Sequence, residues 1–173
     1  MLSVKQQQEF LKERKYYTGK VDGIKGKLTT KAIKAFQAAY KLTADGIWGE
    51  KTNAKALTLI WRKYPNFKRS EFVCKCGGKH CKGDTAEMEE EVLEILQEIR
   101  NTYKRAVIVT SGVRCTQHNR NVGGVPNSRH LTGHAADFKI SGVSGSELRD
   151  LCYDLGCRYS YVITANTVHV DVK

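Results

Sequence analysis

The chain has only two prolines in 173 residues, too few for a proline-rich or collagen-like fibre. It has no run near the roughly 18 consecutive apolar residues that a membrane-spanning helix needs, so membrane insertion is not expected. Its opening, Met1-Leu2-Ser3-Val4-Lys5-Gln6-Gln7-Gln8, lacks the apolar stretch of a secretory signal. The expectation is a chain without a Sec-type export address. Acidic residues are scarce beside basic ones, 18 against 29, for a formal net charge of +11. What is present suffices for a packed core: 40% of residues are hydrophobic and 9% aromatic, which excludes wholesale disorder. The length fits one large domain or two small ones.

The positive charge is uneven. Residues 1–62 hold thirteen Lys and Arg against five Asp and Glu, a net of +8. Residues 63–173 hold sixteen against thirteen, a net of +3. A basic first third suits a polyanionic partner, whether nucleic acid, an anionic membrane face or an acidic cell wall. A merely well-hydrated surface fits equally. No nucleic-acid motif or aromatic-rich basic groove accompanies the charge, so nucleic acid is not expected as a partner.

All six cysteines follow residue 70. Without an export signal, a disulfide framework is not the default. Cys74, Cys76 and Cys81 cluster in Cys74-Lys75-Cys76-Gly77-Gly78-Lys79-His80-Cys81, and thiolates with an imidazole suit a structural zinc. The spacing is not that of a standard ribbon or finger, and free or opportunistically paired thiols in a tight glycine loop are the other reading. Cys115, Cys152 and Cys157 are scattered.

The first segment contains a repeat. Asp22-Gly23-Ile24-Lys25-Gly26-Lys27-Leu28-Thr29 returns as Asp45-Gly46-Ile47-Trp48-Gly49-Glu50-Lys51-Thr52. Each Asp-Gly-Ile-x-Gly reads as a tight turn, and each Thr as the N-cap of a helix. Ala32, Ile33, Phe36, Ala39 and Tyr40 then keep helical spacing, as do Ala54, Leu57 and Ile60. Val4, Phe10 and Leu11 suggest an earlier helix. The first domain, 1–62, is therefore expected to be three short helices. Residues 63–70 read as a linker, with Pro65 and no periodicity.

The second domain, 71–173, mixes helices and strands. Asp84 or Thr85 is expected to cap a helix running to about Tyr103, with Met88, Val92, Ile95, Leu96 and Ile99 on one face. A buried strand is expected over 106–110, strands over 134–140, 158–164 and 167–172, and a helix from Ser146 to about Gly156. This is an α+β domain.

The chemistry concentrates in three residues. In Thr167-Val168-His169-Val170-Asp171-Val172, strict alternation sends the valines to the core and Thr167, His169 and Asp171 to the opposite face. In Ala135-Ala136-Asp137-Phe138-Lys139-Ile140 the same rule separates Asp137 from Phe138 and Ile140. Adjacent strands would set Asp137 beside His169, and His130 on the preceding loop could fold over to join them. Two imidazoles and one carboxylate are a ligand set for catalytic zinc with one position left for water. A surface histidine and a capping aspartate are the alternative.

The stretch Ser111-Gly112-Val113-Arg114 through Ser128-Arg129-His130-Leu131-Thr132-Gly133-His134-Ala135-Ala136-Asp137 resembles the zinc D-Ala-D-Ala carboxypeptidase and L-alanyl-D-glutamate peptidase family. That family's signature, Ser-x-His-x-x-Gly-x-Ala-x-Asp, falls on Ser128, His130, Gly133, Ala135 and Asp137. A later His in a Val-His-Val-Asp strand falls on His169. The likeness covers about 68–173. The first segment resembles the peptidoglycan-binding domain 1 family, through Gly19, Val21-Asp22-Gly23-Ile24 with Gly26, Ala35-Phe36-Gln37, and Leu42 to Gly49 with Thr52. The pair of modules looks like a bacteriophage endolysin.

The resemblance implies a zinc peptidase acting on peptidoglycan stem peptides or cross-links. It implies a chain that stays in the host cytoplasm until holin-mediated release. His130, Asp137 and His169 would hold Zn2+, Arg114 would bind the substrate carbonyl or oxyanion, and Ser128 would touch substrate or order its loop. Many members of the family it resembles carry a Glu or Asp three residues before the last histidine, where this chain has Asn166. Asp171 is then the expected general base, with a second-sphere role as its alternative, and His118 is a further candidate. A catalytically inactive wall-binding protein is the rival reading. Trp48 and Tyr40 could stack on sugars or pack in the core, and the basic first domain suits anionic wall polymers.

Overall fold

A computed structural model describes residues 1–83 and 85–173. The chain divides into two compact units, Met1–Arg62 and Lys63–Lys173. No helix among the described residues is long and apolar enough to cross a membrane.

The first unit is helical: α1 (Val4–Glu13), α2 (Lys27–Ala39) and α3 (Glu50–Trp61). Helix α1 opens on a capping box, in which Ser3 accepts from the Gln6 amide and the Gln6 side chain accepts from the Ser3 amide. That satisfies two amides the first turn would otherwise leave bare. Phe10, Leu11, Ile33, Phe36, Ala56 and Ile60 are buried.

The threonines do not cap. Gly26 and Gly49, in extended conformation, are the N-caps of α2 and α3. Thr29 and Thr52 lie inside the first turns, where each hydroxyl accepts a hydrogen bond from a glutamine side chain. Gln8 and Gln37 are the donors, and both are buried. The Gln37 amide donates to Asp45 Oδ1 at 2.8 Å, Ile47 O at 2.9 Å and Thr52 Oγ1 at 3.1 Å, and accepts from the Gly46 amide at 2.8 Å. Gln8 does the same for Asp22, Ile24, Thr29 and Gly23. The sequence repeat is thus two turns, each wound around one buried carboxamide.

Trp48 is core: it is 7% exposed, stacks on Phe36 with ring centroids 6.0 Å apart, and donates its indole N–H to Asn53 Oδ1 at 3.0 Å. Half-buried Tyr40 packs on the same Phe36 ring.

The second unit holds α4 (Glu90–Tyr103), β1 (Val107–Ser111), α5 (Thr116–Asn121), β2 (Ala135–Ile140), α6 (Gly145–Asp154), β3 (Tyr159–Thr164) and β4 (Thr167–Asp171), with 3-10 turns at Arg69–Glu71 and Arg129–Thr132. The strands form one antiparallel sheet in the order β1-β2-β4-β3. Phe138, Ile140, Val168, Val170 and Leu148 are fully buried. Helix α6 packs on β3 and β4, and α4 on β1 and α6.

Several boundaries differ from the sequence reading. Residues 63–70 belong to the second unit and are not a free linker, because Tyr64 and Phe67 are buried in it. Helix α4 begins at Glu90, not at Thr85, since the preceding residues are held by other partners. Arg69 clamps Glu87 with two bonds of 2.7 and 2.6 Å, and the Glu89 amide donates to Gly133 O at 2.9 Å. Asp84, the other expected cap, lies outside the described residues. Strand β1 alternates between buried and exposed, with Ile108 44% exposed, because it is a sheet edge. Ser144, not Ser146, caps α6, accepting from the Glu147 amide.

Candidate metal centre

The central strands build the site. In the β2–β4 ladder Asp137 stands opposite His169 and Phe138 opposite Val168. Phe138 and Val168 are fully buried, and the alternation sends Asp137 and His169 to the other face. His130 arrives from the 3-10 turn Arg129–Thr132. That turn ends on Gly133, with φ at 80°, and a Cβ there would stand 1.9 Å from Glu87 O. Only glycine permits this fold-over, so Gly133 sets His130 against the sheet.

Three donor atoms close a small triangle. His130 Nε2 lies 3.2 Å from Asp137 Oδ1, His169 Nδ1 lies 2.7 Å from the same oxygen, and the two nitrogens are 3.3 Å apart. Donors at about 2.0–2.1 Å on a tetrahedral ion stand about 3.3–3.4 Å from each other. Two edges therefore match one face of such a site, the 2.7 Å edge needs to open by about 0.6 Å, and two imidazoles with a carboxylate suit Zn2+. All three residues are buried, between 2% and 6% exposed.

The outer nitrogens are also engaged. His130 Nδ1 lies 2.7 Å from Gly112 O. It must donate there, which leaves the Nε2 lone pair for a cation. His169 Nε2 faces Asp171 Oδ2 at 3.7 Å. Burial opposes ionisation of the Asp137 carboxyl, but the imidazoles of His130 and His169 beside it hold its pKa well below the ordinary carboxylate value. An ionised, buried carboxylate flanked by two imidazoles is what a cation site requires.

The other expected residues sort differently. Arg114 reaches the centre, but its Nη2 donates to Asp137 Oδ2 and its Nε to Ser111 Oγ at 2.8 Å. Asp137 thus keeps one oxygen in the triangle and gives the other to Arg114. Ser128 precedes the His130 turn and makes no side-chain cap there. Asp171, expected as the base, accepts from Arg158 Nη1 through both oxygens at 2.9 Å. It sits beside the distal nitrogen of His169, the position of an orienting group. Asn166 lies in the β3–β4 turn, accepting from Thr164 and Thr167. His118 stands on α5 with its pKa lowered, first by burial and then by Arg114 and His80.

Arg114, Ser128, His130, Arg158, Tyr159, Tyr161, His169 and Asp171 line a cleft of about 810 Å³. Sequence reasoning missed three working parts of the centre and its cleft. Tyr161 stacks on the His169 ring at 4.7 Å, and strand alternation could have found it, since Tyr161 pairs with His169 across β3–β4. Arg158 lies just before β3 and could have been matched to Asp171 only with the register known. The Gly112 carbonyl carries no side-chain signal at all.

Residues 65–171, well over half the chain, match the Peptidase M15 model. The chain belongs to the Peptidase M15 family. Residues 2–55 match a model described as a putative peptidoglycan binding domain. The zinc D-Ala-D-Ala carboxypeptidase of Streptomyces albus G is 36% identical over 126 residues, which is 68% of this chain and 49% of that protein. A probable N-acetylmuramoyl-L-alanine amidase of Bacillus licheniformis is 52% identical over 40 residues, 23% of this chain and 11% of that protein. The chain thus spans about half the length of the first relative and about a tenth of the second.

Proposed function

We propose that this protein is a zinc-dependent peptidase of bacterial peptidoglycan, acting as an endolysin. In this reading its first unit holds the wall while its second cuts a peptide bond in stem peptides or cross-links. The observation that carries the reading is the buried triangle of His130, Asp137 and His169, with edges of 2.7 to 3.3 Å. The family membership and the putative peptidoglycan binding domain at residues 2–55 support the substrate class. The +8 charge of residues 1–62 suits anionic wall polymers as a further attraction. We place the protein in the host cytoplasm until holin-mediated release.

A zinc ion held by the three residues would supply Lewis-acid polarisation of the scissile carbonyl and acidification of water. The side chains around it have separate tasks. Arg114, held by Ser111 and Asp137, presents a fixed positive charge at the cleft, where it can donate to a developing oxyanion. With a metal on its Nδ1, His169 would carry its proton on Nε2, toward Asp171 Oδ2 at 3.7 Å. Arg158 donates to both Asp171 oxygens and fixes the side chain in that position, so Asp171 is assigned to orienting the imidazole ahead of accepting protons from water. Tyr161, stacked on His169, shields one side of the ring from solvent. Ser128 lines the cleft beside His130 and is assigned to substrate contact.

The test is hydrolysis of purified peptidoglycan, followed by turbidity and by mass spectrometry of the released peptides. Wild type should clear the suspension, lose activity to a chelator and regain it with zinc. The new termini identify whether the bond follows D-Ala or joins L-Ala to D-Glu. A zinc-loaded protein that binds walls but releases no peptide would reduce the reading to a wall-binding protein.

A further inference from the structure

Four thiols that the hydrolytic site does not use meet just beyond Arg114. Cys74, Cys76 and Cys115 are buried and Cys81 packs against them half-exposed. Their sulfurs all lie within 4.8 Å of one another, with Cys76 and Cys81 at 3.5 Å. All are free thiols. Zinc–sulfur bonds of about 2.3 Å place neighbouring sulfurs of a tetrahedral site about 3.8 Å apart. The four sulfurs therefore need only small shifts to close on one ion.

The backbone is arranged for thiolates. The Cys115 amide donates to Cys74 Sγ at 3.3 Å, the Gly83 amide to Cys81 Sγ at 3.4 Å and the His118 amide to Cys115 Sγ at 3.4 Å. Such N–H donors favour the charged form of sulfur and fix its direction. Between Cys76 and Cys81 the chain reverses through Gly77 and Gly78, at φ of 64° and 80°. No atom stands within 4 Å of a Cβ at either position, so the left-handed backbone, not crowding, calls for glycine there. His80, the imidazole in the sequence cluster, points elsewhere: its Nε2 lies 3.2 Å from Asn121 Nδ2. The fourth sulfur comes instead from distant Cys115.

We propose that Cys74, Cys76, Cys81 and Cys115 bind a second, structural zinc ion that fastens the 72–83 loop to the segment presenting Arg114. Four protein ligands leave no open position, which separates this site from a catalytic one. A tetrahedral set of sulfurs is the donor set zinc favours. The fastening reaches the hydrolytic centre in one step. Cys115 follows Arg114, whose amide donates to His130 O at 2.9 Å. Two residues earlier, Gly112 O receives His130 Nδ1. The Val113 amide donates to Phe72 O at 2.8 Å, and a Cβ on Gly112 would stand 2.3 Å from that same oxygen. The segment that orients His130 is thus pressed against the loop that carries three of the four thiols.

The experiment is metal analysis of the full chain purified under reductant, with cobalt replacement of the bound metal. Wild type should hold two zinc ions per chain. Cys76→Ser and His169→Ala should each hold one. The cobalt form of wild type should show thiolate-to-cobalt charge-transfer absorption, retained in His169→Ala and lost in Cys76→Ser. If Cys76→Ser does not fold, the cobalt spectra of wild type and His169→Ala still decide. Removal of this metal from wild type should unmask four additional thiols to a thiol reagent. The proposal is overturned if reduced wild type lacks the charge-transfer band, if peptide mapping finds the four sulfurs in disulfides, or if the site carries iron. Because the band does not depend on hydrolysis or on the histidine centre, its absence is separable from failure of the peptidase reading.

Discussion

The two units bury polar side chains in opposite ways. In Met1–Arg62, Gln8 and Gln37 are carboxamides with both donors and acceptors, and each finds complementary partners in the turn wound around it. In Lys63–Lys173, two imidazoles and a carboxylate converge their acceptor atoms on one point. A carboxamide can complete its own bonding, because it has two kinds of group to offer. A cluster of lone pairs is complete only with a cation. The first unit is expected to be stable alone, and the second to gain stability from its metal.

The strongest way to break this contrast is His169→Ala. Hydrolysis of peptidoglycan should fall by about 1000-fold or more, equivalent to about 4 kcal/mol of barrier, and one zinc should be lost. The first unit's thermal transition should not move. Next comes Gln37→Ala, which strands the Gly46 amide and frees Asp45 and Thr52. It should destabilise the first unit by about 2–4 kcal/mol in denaturant titration while leaving zinc content unchanged. Asp171→Asn sharpens the assignment within the second unit. As an orienting group its loss should weaken zinc binding by about 10–100-fold in competition with a chelator. A loss of turnover with zinc affinity intact would make it the proton acceptor instead.

The smallest effect is in pH. The Asp137 pKa is held down in the fold. Its contribution is therefore present above the unfolded carboxylate value of about 4 and is lost as pH falls toward the lower folded value. Chelator-treated protein should lose second-unit stability on acidification below about pH 4, and Asp137→Asn should flatten that dependence. The hubs of the first unit titrate as well, through Asp22 and Asp45, whose pKa values are held down first by the Ile24 and Ile47 amides and then by Gln8 and Gln37. Both carboxylates are exposed, so the first unit's loss in acid should be the smaller one.

What the sequence disclosed follows from locality. Alternation in Val168-His169-Val170-Asp171 and around Asp137 was enough to set both residues on one sheet face. The repeated Asp-Gly-Ile turns announced the first unit's architecture. The threonines misled because a hydroxyl next to a glycine turn resembles a cap, whereas its partner is a glutamine from another part of the chain. Strand alternation alone presents Asp171 as a base, because Arg158, which donates to both its oxygens, comes from the far end of the β3–β4 hairpin. The linker reading failed because Tyr64 and Phe67 carry no periodicity, though both are buried. In each case the deciding contact was remote in sequence.

One feature of the ladder reaches beyond this chain's chemistry. Asp137 and His169 are direct cross-strand neighbours, and the β3–β4 turn at Ala165 and Asn166 feeds the second of them. Lengthening the turn itself leaves the pairing alone. Inserting one residue between Thr167 and His169 would rotate the imidazole into the hydrophobic layer and bring a valine out in its stead. Natural or engineered variation should therefore tolerate hairpin tips of many lengths while forbidding odd-numbered insertions only a few ångströms away.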